Sequence, residues 1–208
     1  MAWLSSVFVV LALLIFSEVW WRNTKVHGEI SRKFVHITVG SFVAFWPFFL
    51  SWRDIEILSV AFVIGIAVSK HLRIFTAIHS VQRPTQGEFF FALAVGSIAL
   101  ITHNKWIYLT ALLQMSLADG LAAVIGVAYG RRSSYKVFGQ LKSMAGTVTF
   151  AVVSLATLIT YNHYGHSPLN LLAMLAVTLM ATLIENAAVF GLDNLLVPLL
   201  VAIALRLL

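Results

Sequence analysis

The residues best placed to do chemistry fall in one stretch, Asp119 to Thr147: D-G-L-A-A-V-I-G-V-A-Y-G-R-R-S-S-Y-K-V-F-G-Q-L-K-S-M-A-G-T. It opens with a carboxylate inside an otherwise apolar segment. Burying an ionised side chain there is expensive, so Asp119 must meet a cation or a donor, and it reads by default as a functional group. Small residues follow, then the cationic loop of Arg131, Arg132 and Lys136, then Lys142 and Ser143 where the next apolar segment begins. Carboxylates beside such a loop suit a polyphosphate and its divalent metal. Asp119, Ala122 or Ala123, Gly126 and Gly130 share one helical stripe, whose small residues admit either a neighbouring helix or a bulky phosphate. The bland alternative for Asp119 is a structural pair with an arginine. The G-Q-L-K-S run lacks the G-x-x-x-x-G-K-S/T spacing and a preceding strand, so it is not a Walker A loop.

Three further clusters stand beside it. In S-R-K-F-V-H-I-T-V-G, residues 31–40, Arg32, His36 and Gly40 fall on one helical face; the alternative is that Arg32 and Lys33 snorkel to headgroups. In R-P-T-Q-G-E, residues 83–88, Pro84 and Gly87 shape a turn between Arg83 and Glu88. Glu88 then either complements a helix N-terminus or joins a polar site. In T-L-I-E-N-A-A-V-F-G-L-D-N-L-L-V-P, residues 182–198, Glu185 extends a polar stripe with Thr178 and Thr182. Asp193 and Asn194 follow, either as a helix cap or, with Glu185, as oxygen ligands that hold Mg²⁺ against a triphosphate.

The elements that position these residues are membrane helices. Of 208 residues, 60% are hydrophobic and only 11% charged, against about a quarter charged in a soluble domain; mean hydropathy is +0.92. Apolar segments fall at about 2–21, 34–50, 55–69, 89–102, 106–129, 145–161, 168–190 and 194–208. The expected fold is therefore an all-α integral membrane bundle of about eight (six to eight) transmembrane helices in a single domain, 1–208. The first segment lacks a basic leader and a cleavage site, so it reads as a retained anchor. Cysteine is absent, which leaves the redox compartment open.

Charge sets the orientation. Arg22, Lys25, Arg32, Lys33, Lys70, Arg73, Arg83, Arg131, Arg132, Lys136 and Lys142 follow odd-numbered segments, whereas Arg53, Lys105 and Arg206 lie on the other side. The first set is expected to be cytoplasmic, with both termini on the opposite face. Glu29, Glu88, Asp119, Glu185 and Asp193 lie at or toward that same basic side. The pattern calls for a phosphate-bearing ligand at a membrane surface, and nothing in it calls for nucleic acid.

R-K-x-x-H, D-G-L-A-A-x-x-G, K-S-x-A-G-T and E followed by D-N-L-x-V-P, in this order over residues 31–198, together resemble the polyprenol kinase family. That family takes in phytol kinase, dolichol kinase and CTP-dependent diacylglycerol kinase, and is distantly similar to CDP-diacylglycerol synthase. The resemblance implies transfer of the γ-phosphoryl group of CTP to a lipid alcohol, with Mg²⁺, among membrane lipids. It implies that Asp119 and Asp193, with Glu185, hold the metal. Arg32, Lys33, Arg83, Glu88, Gly126, Gly130, Arg131, Lys142, Ser143, Gly146, Thr147 and Asn194 would surround the nucleotide, and Asp119, Lys142 and His36 would act on the reacting groups. Asp119 and His36 both remain open as the base. Family members often carry a basic residue shortly after the glycine matching Gly126, whereas Val127, Ala128 and Tyr129 follow here, so that job passes to Arg131 or Arg132. A CDP-lipid-forming cytidylyltransferase would use similar groups but release pyrophosphate. A small transporter would need a polar path to both faces, and the outer halves of the segments are nearly devoid of ionisable groups.

Overall fold

The computed structural model describes residues 2–23, 29–72, 86–165 and 168–208. Among these the chain forms α1 (Ala2–Asn23), α2 (Glu29–Ala44), α3 (Trp52–Leu72), α4 (Gly87–Ile101), α5 (Lys105–Leu113), α6 (Asp119–Tyr129), α7 (Met144–Tyr164), α8 (Leu171–Ala187) and α9 (Asp193–Leu207). A π-helical turn, Gln114–Ala118, fuses α5 to α6, so the described residues make eight rods, one on each apolar segment of the sequence. By length and composition three stretches can cross a membrane: Ala2–Trp20, Lys105–Ser133 and Met144–Tyr164. Gly87–Ile101 and Leu171–Ala187 are apolar but shorter.

The expected helices are joined by one small element of another kind. Within the basic loop, β1 (Ser134–Val137) and β2 (Gln140–Ser143) pair antiparallel, with Tyr135 opposite Lys142. The two-residue turn between them, Phe138-Gly139, has both residues at positive φ, 46° and 79°. Such turns match the twist of paired strands. Four residues per strand are too few for a period-two signal to stand out beside long apolar helices.

The fused α5–α6 rod is the centre of the bundle. It packs on α2, α7 and α9, and Tyr108, Ala111, Leu112, Gln114, Ser116 and Ala118 along it are fully buried. Outer rods do the reverse and present Phe8, Ile64, Leu100 and Leu172 to their surroundings. Apolar surface on this scale belongs against lipid. A buried polar clasp pins the rod to α7: Ser154 Oγ donates to Gln114 Oε1 at 2.9 Å.

The two ends of the bundle differ. One collects Phe48, Trp106 and Tyr164, with ring centroids 5.3 and 5.8 Å apart, while Lys105 sits 5.9 Å over Phe48. Aromatic rings of this kind mark a membrane–water interface. The other end collects the starts of α2, α4, α7 and α9, the ends of α6 and α8, and the hairpin. Backbone and amide bonds tie it together, from Gln86 N–H to the Phe190 carbonyl at 3.0 Å and from Asn194 Nδ2 to the Gly87 carbonyl at 3.0 Å. Residues 24–28 and 73–85, including Lys25, Arg73 and Arg83, lie outside the described residues.

A chain without native cysteine allows a direct check on these two ends. Single variants Ser134→Cys and Lys105→Cys in sealed vesicles should react with an impermeant maleimide from opposite faces. Labelling of both from one face would overturn this end-to-end arrangement.

Candidate active site

The site is built where α2 meets the central rod. The first turns of α2 place Lys33 and His36 three residues apart on one face, toward α6. Lys33 Nζ donates to Asp119 Oδ2, and both residues are buried, at 4% and 5% exposure. His36 Nε2 lies 3.5 Å from the same carboxylate oxygen and 3.0 Å from the Met115 carbonyl. A carbonyl only accepts, so Nε2 carries the hydrogen and Nδ1 of the neutral ring keeps its lone pair.

The π-turn explains why Met115 can serve His36. At Asp119 the backbone N–H reaches the Gln114 carbonyl, five residues back. The bulge interrupts the i→i−4 ladder one residue before Asp119 and re-aims the following helix face. Such bulges recur at functional sites.

The hairpin supplies the second half. Tyr135 and Lys142 are register partners, so they stand on one face of the ladder, and both reach the end of α8. Lys142 Nζ donates to Glu185 Oε1 at 2.5 Å and to the Glu185 carbonyl at 2.9 Å. Tyr135 Oη donates to Asn186 Oδ1. Thr147, at the start of α7, donates to the same Asn186 oxygen at 3.1 Å. Burial by itself lowers the Lys142 pKa, but the adjoining Glu185 carboxylate outweighs it and raises the ammonium above its ordinary value. Lys142 therefore stays charged at neutral pH. The lysine's share of the pair is full below the ordinary lysine pKa and fades only as pH rises through the raised one, for as long as Glu185 stays ionised.

Between these two ion pairs lies a cavity of about 580 Å³. Arg32, Lys33, Asp119, Gly126, Gly130, Arg131, Lys142, Ser143, Gly146, Thr147, Glu185 and Asp193 all line it, so most of the residues singled out in the sequence share one space. Three do not. His36, Glu88 and Asn194 line a second, apolar groove of about 340 Å³, and Arg32 borders both spaces. Arg83 lies outside the described residues. Tyr135 and Asn186 are polar groups of the rim that sequence reasoning passed over. Their signal was too weak, because only the hairpin register brings Tyr135 to α8.

The small-residue stripe of α6 packs against the start of α7. A Cβ at Gly130 would overlap the Ser143 side chain, and one at Gly146 would stand 2.9 Å from the Ala122 carbonyl. Ser143 caps α7, its Oγ accepting from Gly146 N–H at 3.1 Å. The same close approach leaves that helix start facing the cavity, a setting that favours anions.

For a metal, the cavity offers three carboxylates. Among the described residues no three His, Asp or Glu side chains converge into a ready-made cage, but Mg²⁺ is commonly held by one or two carboxylates plus substrate phosphates. Asp119 and Glu185 each hold a lysine, whereas Asp193 makes no ion pair among the described residues. The donor set fits Mg²⁺, with Asp193 the carboxylate not committed to a lysine.

Over 196 residues, spanning 90% of this chain and 83% of the relative, the sequence is 32% identical to a phytol kinase of Synechocystis sp.. The chain belongs to the polyprenol/phytol kinase family. It is also 26% identical over 173 residues to the probable phytol kinase 2, chloroplastic, of Oryza sativa subsp. japonica, covering 76% of this chain and 56% of that one. To the probable phytol kinase 1, chloroplastic, of Glycine max it is 27% identical over 209 residues, covering 88% and 68%. No protein-family model and no solved structure matches it. At the level of the family, the activity is that of a lipid-alcohol kinase.

The buried Lys33–Asp119 pair makes a separable prediction. Lys33→Met leaves the Asp119 charge buried without its partner, which should cost about 3–5 kcal/mol of stability. Adding Asp119→Asn should restore most of the lost melting temperature in detergent without restoring turnover. Strictly additive losses in the two single variants and the double would show that the pair is not energetically coupled.

Proposed function

We propose that this protein transfers the γ-phosphoryl group of CTP to a single lipid alcohol of isoprenoid type, on the cytoplasmic side of the membrane. The observation that carries the reading is the meeting of two unlike spaces at Arg32: a cavity walled by cations and carboxylates, and a mostly apolar groove with few polar residues. Phosphoryl transfer needs mainly positioning and neutralisation of charge, which the first space can supply. A lipid hydroxyl needs an apolar tail path that ends beside the phosphates, which the second can supply.

In this reading Arg32, Lys33, Arg131 and Lys142 hold the phosphates, helped by the start of α7 from Ser143 to Thr147. Mg²⁺, held by Asp193 with Asp119 or Glu185, would neutralise charge on the triphosphate. The alcohol oxygen attacks the γ-phosphorus, the bond from that phosphorus to the β,γ-bridging oxygen breaks, and CDP leaves. The hydroxyl proton passes to Nδ1 of His36, the base favoured here because Asp119 is already engaged with Lys33. His36 also lines the groove from which the hydroxyl would come.

The test is direct. Purified protein with Mg²⁺, γ-labelled CTP and phytol should yield labelled phytyl phosphate and CDP. Pyrophosphate as the released product would make the protein a cytidylyltransferase, and equal use of ATP would remove the cytosine preference. Asp193→Asn should lower turnover by about a hundredfold or more, because loss of metal stabilisation is worth several kcal/mol and each ~1.4 kcal/mol is tenfold. Near-normal turnover in a monodisperse Asp193→Asn protein would defeat the metal assignment.

A further inference from the structure

The apolar groove has a shape and a direction. Its walls are Val10 and Leu14 of α1, Val35 and Val39 of α2, and Phe62 and Gly65 of α3, with α4 closing the polar end. Along α3 it runs from Leu58 to Ser69, eleven residues and so about 16 Å of helix. That is about half of the roughly 30 Å hydrocarbon core, the depth of one leaflet. The groove's volume of about 340 Å³ is on the scale of one hydrocarbon tail. Among the described residues α1 packs on α2 and α3 on α4, with no comparable packing between α1 and α3, and the groove lies between those two helices.

The groove's head carries an independent sign of a ligand. Asn194 is 3% exposed, and its Nδ2 is spent on the Gly87 carbonyl at 3.0 Å. Its Oδ1 is buried and has no hydrogen-bond partner among the described residues. A buried acceptor left in this state is costly and calls for a donor. A hydroxyl arriving along the groove brings one O–H to this residue, which lines the groove with His36 and directly follows Asp193 of the cavity wall.

We propose that this groove is the acceptor site, that it takes one hydrocarbon tail entering sideways between α1 and α3, and that Asn194 Oδ1 accepts the hydroxyl of the bound alcohol. The proposal rests on the kinase reading and places its acceptor in this chain: one tail in the groove and the hydroxyl on Asn194. In this arrangement Asn194 is a positioning residue that holds the oxygen near His36, and Gly65 sets the usable tail length. A Cβ at Gly65 would meet nothing within 4 Å, so the position tolerates a larger side chain that fills the groove from α3. Gly65 is four residues, about 6 Å of helix, from Ser69 at the polar end, so a ring there obstructs the deeper part of the tail path.

Two measurements on the full chain in lipid nanodiscs test it. The first does not depend on turnover: a long single-chain alcohol carrying a diazirine at mid-tail should label α1 or α3 residues of the groove. Phytol should compete, and a diacylglycerol should not. Labelling elsewhere, or equal competition by diacylglycerol, overturns the site. The second compares phosphorylation of phytol and of the short alcohol prenol. Gly65→Phe should lower the phytol-to-prenol ratio of kcat/KM by about tenfold or more, with Gly65→Ala close to the parent. An unchanged ratio in a monodisperse Gly65→Phe protein overturns the tail path. If no alcohol is phosphorylated at all, the kinase reading fails, while the labelling result still decides the groove.

Discussion

The structure depends on how the charge of Asp119 is compensated inside an apolar bundle. The residue sits ten positions before the end of α6, about 15 Å down the central rod, where an unpaired carboxylate would be untenable. Lys33 meets it from α2 and His36 stands beside it. This one requirement sets the register of α2 against the rod, draws the first turn of α2 inward instead of leaving it to snorkel, and brings Arg32 to the border of two spaces. The π-turn serves the same end, because it puts the Met115 carbonyl within reach of His36. Replacing a buried pair by apolar residues is often neutral or stabilising, so packing alone does not explain its presence. Its placement on the wall of the cavity does.

The second ion pair works differently. Lys142 is delivered by a hairpin, not by a helix, and its partner Glu185 lies near the end of α8. With Tyr135, Thr147 and Asn186 it clasps the hairpin to α8 and to the start of α7. A short, strained turn at Phe138-Gly139 makes this possible by reversing the chain within two residues. The clasp keeps a cation at the cavity rim with its charge held on, while leaving the loop outside the packed helices. A site at a membrane surface needs such an element, since a water-soluble donor and a lipid acceptor approach it from different phases. In the proposed reading the cavity and the groove divide that task, and among the described residues Arg32 alone borders both.

The glycines of α6 show how one feature serves two ends. Small-residue spacing reads either as helix packing or as room for phosphate. In the structure the stripe packs tightly on Ser143 and Gly146, and that contact is also what brings the cap of α7 to the cavity wall. In the proposed reading, packing and anion binding share this geometry.

Composition and periodicity alone determined that the chain is helical and apolar, and where its segments run, because long hydrophobic stretches admit few other structures in lipid. They also marked Asp119, Lys142, Glu185 and Asp193, because rare charges at or near membrane depth have few bland explanations. What they left open was partnership. Whether Asp119 faces Lys33, an arginine or a metal depends on rotation of α2 about its axis and on a π-turn, and neither has a signature in Q-M-S-L-A. Asn194 and Glu88 resemble nucleotide contacts when read beside Asp193 and the basic loops, yet tertiary packing sets them in the apolar groove on the other side of Arg32. The groove itself has no sequence pattern, since its walls are ordinary apolar residues from helices distant in the chain. It forms where α1, α2, α3 and α4 come together.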